Sequence, residues 1–171
     1  MKIIFMGTPD FAVAALDALC AAGQNVILAV TQPDRQKGRG RKVIQTPVSI
    51  CAQKWGVPVF QPARIREPEA VDKIRSLAPD LIVVAAFGQI LPQDLLDIPR
   101  LGCINIHASL LPRLRGAAPI QWAVINGDAE SGVTLMQMNA GLDTGDILFQ
   151  ERVAIDPQET GESLYEKLAA L

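Results

Sequence analysis

Short apolar runs rich in β-branched residues alternate along the chain with segments of helical periodicity. The runs are Ile3 to Met6, Val26 to Val30, Val57 to Phe60, Leu81 to Ala86 and Ile104 to His107. Such alternation predicts an α/β fold built on a doubly wound, mostly parallel sheet with helices on both faces. The first helix is punctuated by Thr8 as N-cap, Pro9 at the first helical position, Phe11, Ala15, Leu16 and Leu19 on one face, and Gly23 as stop. The same grammar recurs from Thr46-Pro47 to Gly56, and further helices are expected from Pro68 to Leu77 and from Pro119 to Asn126-Gly127. After that the pattern changes. Val133 to Met138 and Ile147 to Ile155 read as strands that extend one sheet edge in an antiparallel manner. The segment between them, Asn139 to Asp146, reads as a loop whose glycines permit turns that other residues resist. A last helix carries Leu164, Leu168 and Leu171, then stops without a glycine cap or a trailing proline, so the chain is expected to continue in a longer protein. No internal repeat or low-complexity tract interrupts this order.

One run departs from the apolar rule. A strand covered on both faces pays on the order of a few kcal/mol for each polar group left without a partner. Yet in Gly102-Cys103-Ile104-Asn105-Ile106-His107-Ala108-Ser109 the strand period of two puts Asn105, His107 and Ser109 on one face. Ligands of open α/β sheets bind beyond the carboxyl ends of strands, where His107 and Ser109 fall. A lone histidine is most often a satisfied core imidazole, and His107 is the chain's single histidine. An aligned amide and the glycine-flanked Asp143 change that reading. Together they supply a donor, an acid-base group and an orienting carboxylate, the set that acyl transfer without a covalent intermediate requires. Asp143 alone would be an ordinary turn residue. Ser109 lacks the Gly-x-Ser-x-Gly elbow of a nucleophile, and Cys103 is expected to be a small buried hydrophobe.

Composition narrows the setting. A chain of 171 residues fits one domain that buries roughly two thirds of its unfolded surface, so it folds without staples. The formal charge of -2 gives no whole-molecule field toward nucleic acid or membrane. Three cysteines, Cys20, Cys51 and Cys103, lack metal or disulfide spacing and fit reduced thiols. No leader or long apolar run is present, and a soluble, cytoplasmic protein without membrane contact is expected. A monomer is expected. The one concentration of charge is local: Arg35, Lys37, Arg39, Arg41 and Lys42 gather around Gly38 and Gly40. Such a run is usually a solvated surface loop, but it follows a strand expected to end on the same side as His107. It is therefore a candidate for holding phosphates near a site. Gly7 is one glycine of G-x-G-x-x-G without the others, which argues against a dinucleotide.

Four ordered motifs carry a family resemblance: Asn105-Ile106-His107, Ser109-Leu110-Leu111-Pro112, the stretch from Arg115 to Gln121, and Gly141-Leu142-Asp143-Thr144-Gly145-Asp146. Together they resemble the folate-dependent formyltransferases, which implies a Rossmann-like fold. Met6 to Phe11, Thr31 to Asp34 with Gly38-Arg39-Gly40 behind, and Pro58 to Pro62 narrow the resemblance to the branch acting on methionyl-tRNA. It covers essentially residues 1–171 as a catalytic domain, and implies a further C-terminal, β-rich tRNA-binding domain with no counterpart here.

The resemblance implies transfer of the formyl group of 10-formyltetrahydrofolate to the α-amine of methionyl-initiator tRNA, with no metal. Asn105, His107 and Asp143 match the family's catalytic trio. Ser109, Leu110, Leu111 and Pro112 match a loop bordering the folate, and Phe87, Gly88, Gln89, Ile90 and Leu91 a pterin-binding loop. Tyrosine is common in the family at the place of Phe87, so the ring's packing role survives and a hydrogen bond from that position is put in question. Thr8 to Phe11 would border the amine-side pocket, and the basic run matches a tRNA-contacting insertion. Other readings stay open: a formyltransferase acting on glycinamide ribonucleotide or an amino sugar nucleotide, a formyl-folate hydrolase, or a non-catalytic folate-binding module.

Overall fold

The computed structural model describes residues 1–37 and 42–171. The chain divides into two compact units, Met1–Cys103 and Ile104–Leu171. In the first, β1 (Ile3–Gly7), β2 (Val26–Val30), β5 (Val59–Phe60) and β6 (Leu81–Ala85) pair in parallel in the order β5-β2-β1-β6. Ile3, Ile4, Phe5 and Met6 of β1 point alternately to the two faces and are all at most 1% exposed, so both faces of this strand are covered. Between the strands run α1 (Asp10–Ala21), α2 (Pro47–Lys54), α3 (Pro68–Ser76) and the single turn α4 (Gln93–Leu96). Phe11, Ala12 and Leu16 are the buried residues of α1, while Ala15 and Leu19 are half-buried, so the inward face is rotated from the expected one.

Two Thr-Pro pairs share a sequence signature and differ in structure. Thr46 accepts a hydrogen bond from the Ser49 amide at 3.2 Å and caps α2 as its spacing predicts. Thr8 does not cap α1. Pro9 occupies the cap position, and the Thr8 hydroxyl donates to the Phe87 carbonyl at 3.0 Å and accepts from the Gln32 amide at 3.3 Å. Tertiary partners have taken the hydroxyl that the helix would have used. The described ends of the basic run are paired: Arg35–Lys37 (β3) and Lys42–Ile44 (β4) form an antiparallel ribbon with Arg35 opposite Ile44.

In the second unit β8 (Glu130–Gln137) pairs antiparallel with β7 (Cys103–His107) and with β9 (Ile147–Ala154), and α5 (Pro119–Ile125) packs on α6 (Gly161–Ala169). Among the described residues β9 pairs with β8 alone, and its Ile147, Leu148 and Phe149 are exposed. Leu164 and Leu168 of α6 are buried as their spacing predicts, under a Thr160–Ser163 capping box. The expected α/β class, mostly parallel with an antiparallel part near the C-terminal end, is the one observed. No helix among the described residues is long and apolar enough to cross a membrane.

Candidate functional site

Strand β7 ends at His107, and its pleat places Asn105 and His107 two residues apart on one side. Ser109 lies beyond the strand's end, so the expected row of three aligned polar groups stops at two. The Asn105 amide donates through Nδ2 to Oδ1 of Asp143 at 3.2 Å, and Oδ2 of Asp143 lies 3.6 Å from Nδ1 of His107. The His107 and Asp143 side chains are 8% and 12% exposed, so this contact is largely withdrawn from water. The Gly116 amide donates to Oδ2 of Asp143 at 2.8 Å. The second ring nitrogen, Nε2 of His107, lies 2.9 Å from the Leu114 carbonyl. The expected amide, imidazole and carboxylate are thus together, and two backbone groups of the segment after Pro112 join them.

Asp143 reaches this position from the loop between β8 and β9. Its own backbone is left-handed, with φ of 49°, a conformation that aspartate tolerates better than most side chains. The flanking glycines serve close approach rather than left-handed turns. A Cβ on Gly145 would overlap the Gln137 carbonyl, and one on Gly141 would overlap the Thr144 hydroxyl. Asn139 Oδ1 closes the loop by accepting from the Gly141 amide at 2.9 Å and the Thr144 hydroxyl at 2.8 Å.

Sequence reasoning missed the group that anchors the next loop. Thr134 of β8 sits directly opposite His107 in the strand register and is fully buried. Its hydroxyl donates to the Ser109 carbonyl at 2.6 Å and accepts from the Leu111 amide at 3.1 Å and from Gln150 Nε2 at 2.9 Å. A polar side chain within an apolar strand was the available signal, the same anomaly that singled out Asn105 and His107. Ser109 donates its hydroxyl to the Arg113 carbonyl at 2.7 Å, which commits it to the loop's own structure. Leu111 is buried and Pro112 exposed, and Leu110 to Leu114 border a cavity of about 190 Å³ shared with Asp128 and Arg152. Cys103 is buried beside the Leu96 carbonyl, and burial, with Asp97 adding to it, pushes its thiol up to about 12. At neutral pH it therefore stays a thiol, inert as a nucleophile.

In the first unit the chain leaves β1 in one direction and β6 in the other, the reversal of strand order at which open α/β sheets hold ligands. A cavity of about 380 Å³ lies there, lined among others by Thr8, Pro9, Gln32, Arg35, Ile44 and Phe87. Phe87 is buried, so its ring packs inward, while its carbonyl accepts from Thr8 and from Gln32 Nε2 at 3.2 Å. Gln89 is spent on the neighbouring chain, where its Oε1 accepts from the Ile65 amide at 2.6 Å. Leu91 is buried, Gly88 is exposed, and Ile90 is 86% exposed. Asp10 is exposed and Phe11 buried at the start of α1. Of the basic run, Arg35 is exposed, Lys37 and Lys42 are described by their backbone alone, and Arg39 and Arg41 lie outside the described residues. No cluster of three metal-ligating side chains occurs among the described residues.

Comparison with known proteins gives this geometry its context. Residues 1–171 match the formyl transferase family. A methionyl-tRNA formyltransferase from Geobacter metallireducens is 60% identical over 171 residues, covering 100% of this chain and 55% of that protein. One from Agathobacter rectalis is 56% identical over 170 residues, with 99% and 55% covered. The chain thus spans about half the length of the curated relatives it matches. Among solved structures, a phosphoribosylglycinamide formyltransferase from Bacillus halodurans superposes with a TM-score of 0.82 at 25% identity, covering 99% of this chain and 88% of that one. A sugar N-formyltransferase from Shewanella sp. superposes with a TM-score of 0.72 at 24% identity, covering 99% and 63%, a likeness of fold.

Proposed function

We propose, from the premise that this chain belongs to the formyl transferase family, that it is the catalytic domain of an enzyme formylating the α-amine of methionyl-initiator tRNA. The observation that carries this reading is the meeting of Asn105, His107 and Asp143 in one largely buried cluster. The choice of methionyl-tRNA over other amines is supported by the names of relatives that are more than half identical along the whole chain.

The donor, 10-formyltetrahydrofolate, supplies an activated formyl group on nitrogen. In the transfer a bond forms between the acceptor amine and the formyl carbon, the bond to the folate nitrogen breaks, and the proton lost by the amine is balanced by the one gained at the folate nitrogen. The Asn105 amide is suited to donate to the oxygen on which negative charge develops, and His107 to hold the travelling proton. Asp143 stabilises the charged ring. In the first unit the exposed Ile90 beside Gly88 offers an apolar side chain that a ring system would cover. We assign the acceptor side to the cavity of about 380 Å³ beside Thr8 and Gln32, which the base of the basic ribbon also lines. A β-rich domain in the remainder of a longer protein would add tRNA contacts and effective concentration.

The test is an acceptor panel. With 10-formyltetrahydrofolate as donor, methionyl-tRNA should be formylated faster than glycinamide ribonucleotide or an amino sugar nucleotide, and formate release without amine should be minor. Asn105→Ala should lower kcat by about 10²- to 10³-fold, the loss of one oxyanion donor. Preference for a small amine, or formate as the main product, would overturn the choice of substrate. Neutralising Arg39 and Arg41 together should weaken tRNA use and reduce the slope of log affinity against log salt by about one per charge removed, with folate binding unchanged. An unaltered salt slope would remove the basic run from the tRNA interface.

A further inference from the structure

We propose that the Leu114 carbonyl is a positioning group that fixes the tautomer of His107, so that Nδ1 rather than Nε2 is the nitrogen exchanging protons in the reaction. The tautomer follows from the geometry alone, and its catalytic meaning rests on the formyl-transfer reading above.

A carbonyl oxygen only accepts hydrogen bonds, so the 2.9 Å contact between Nε2 and the Leu114 carbonyl requires the hydrogen to sit on Nε2. In the neutral ring Nδ1 is then bare. It lies 3.6 Å from Oδ2 of Asp143, too far for a hydrogen bond, and that oxygen already accepts from the Gly116 amide at 2.8 Å. A proton arriving at the ring has one vacant nitrogen to occupy, Nδ1, where Asp143 stabilises it. The arrangement inverts the serine-protease order, in which the carboxylate holds the hydrogen on Nδ1 and Nε2 does the chemistry. Here the backbone holds the ring and the carboxylate faces the working nitrogen. In the reaction, the proton that the amine loses on bonding the formyl carbon is taken at Nδ1 and handed to the departing folate nitrogen, so the ring ends as it began.

The segment that does this is held in an uncommon conformation. Leu114, Gly116 and Ala118 all have left-handed backbones, with φ of 55°, 83° and 58°. A leucine is a costly residue at such a position, and it persists where the surroundings enforce it. The first left-handed residue presents its carbonyl to His107, and the second its amide to Asp143. The turn therefore sets the imidazole and the carboxylate from one piece of backbone. The Ser109 hydroxyl on the Arg113 carbonyl holds it from the other side.

His107 is the only histidine in the sequence, so ring-nitrogen labelling yields one pair of resonances with no assignment problem. At a pH where the ring is neutral, Nε2 should show the ¹⁵N shift of a protonated ring nitrogen and Nδ1 that of a bare one. On acidification the large shift should occur at Nδ1. The reverse pattern, or equal averaging of the two nitrogens, overturns the proposal. Leu114→Gly keeps the carbonyl but frees the backbone; it should mix the tautomers and lower kcat about tenfold with little change in KM for the donor. Leu114→Ala keeps a Cβ and should mix the tautomers less than Leu114→Gly does, with a correspondingly smaller fall in kcat. A fall in kcat for Leu114→Gly with the tautomer unmoved overturns the positioning role. The tautomer is read without substrate, so hydrogen on Nε2 in a chain with no formyl transfer supports this assignment while sinking the functional reading.

Discussion

Asp143→Asn is expected to lower kcat for formylation by roughly 10²- to 10⁴-fold, the span of general acid–base catalysis, while folate affinity stays within about threefold. The substitution isolates charge from shape. Asparagine has the same outline and tolerates a left-handed backbone, so the φ of 49° at this position is not an obstacle. What changes is chemical. The carboxylate now accepts from Asn105 Nδ2 on one oxygen and from the Gly116 amide on the other. An amide offers a single oxygen, so one donor must face the new NH₂ group. The negative charge 3.6 Å from Nδ1 of His107 is also lost. Single-turnover formylation beside equilibrium folate binding separates these effects. A kcat within tenfold of the parent would reduce Asp143 to a turn residue.

Thr134→Val is expected to cost about 3 kcal/mol of unfolding free energy, since each buried group left unpaired costs about 1–3 kcal/mol. Valine matches the volume and removes one oxygen. That oxygen serves the Ser109 carbonyl, the Leu111 amide and Gln150 Nε2. Gln150 keeps a second bond to the Leu111 carbonyl at 2.9 Å, so the loop loses two ties outright and a third is weakened. Urea unfolding measures the loss as a lower midpoint at constant slope. Because Thr134 lies opposite His107, kcat should fall as well, by about tenfold if the resulting misalignment costs on the order of 1.4 kcal/mol. A destabilisation below about 0.5 kcal/mol would show that the loop is held by its apolar residues alone.

These two residues mark the limits of what could be read beforehand. Asn105 and His107 stood out because polar side chains in an apolar strand need a reason, and the strand period put them on one side. Asp143 was legible only through the motif around it, since turn chemistry explains an aspartate between glycines equally well. Leu114 and Gly116 make their contacts through a carbonyl and an amide, which every non-proline residue carries, so residue type gave no sign of them. Thr134 broke the apolar rule as His107 did and was passed over inside an otherwise ordinary strand. Element ends erred where tertiary bonds won: the Thr8 hydroxyl left the helix for Phe87, while the same residue type at Thr46 stayed as a cap. The single turn α4 is too short for periodicity to register, and the strands of the β3–β4 ribbon are only three residues each, too short for alternation to stand out.

The open side of β9 has a practical consequence. A border strand that, among the described residues, pairs with a neighbour on one margin alone, and that carries the exposed Ile147, Leu148 and Phe149, is a template on which an extended segment can add itself. Glu151 and Arg152, also exposed, place opposite charges beside that apolar stretch and oppose stacking there. Association through added strands is therefore expected to start along these few residues.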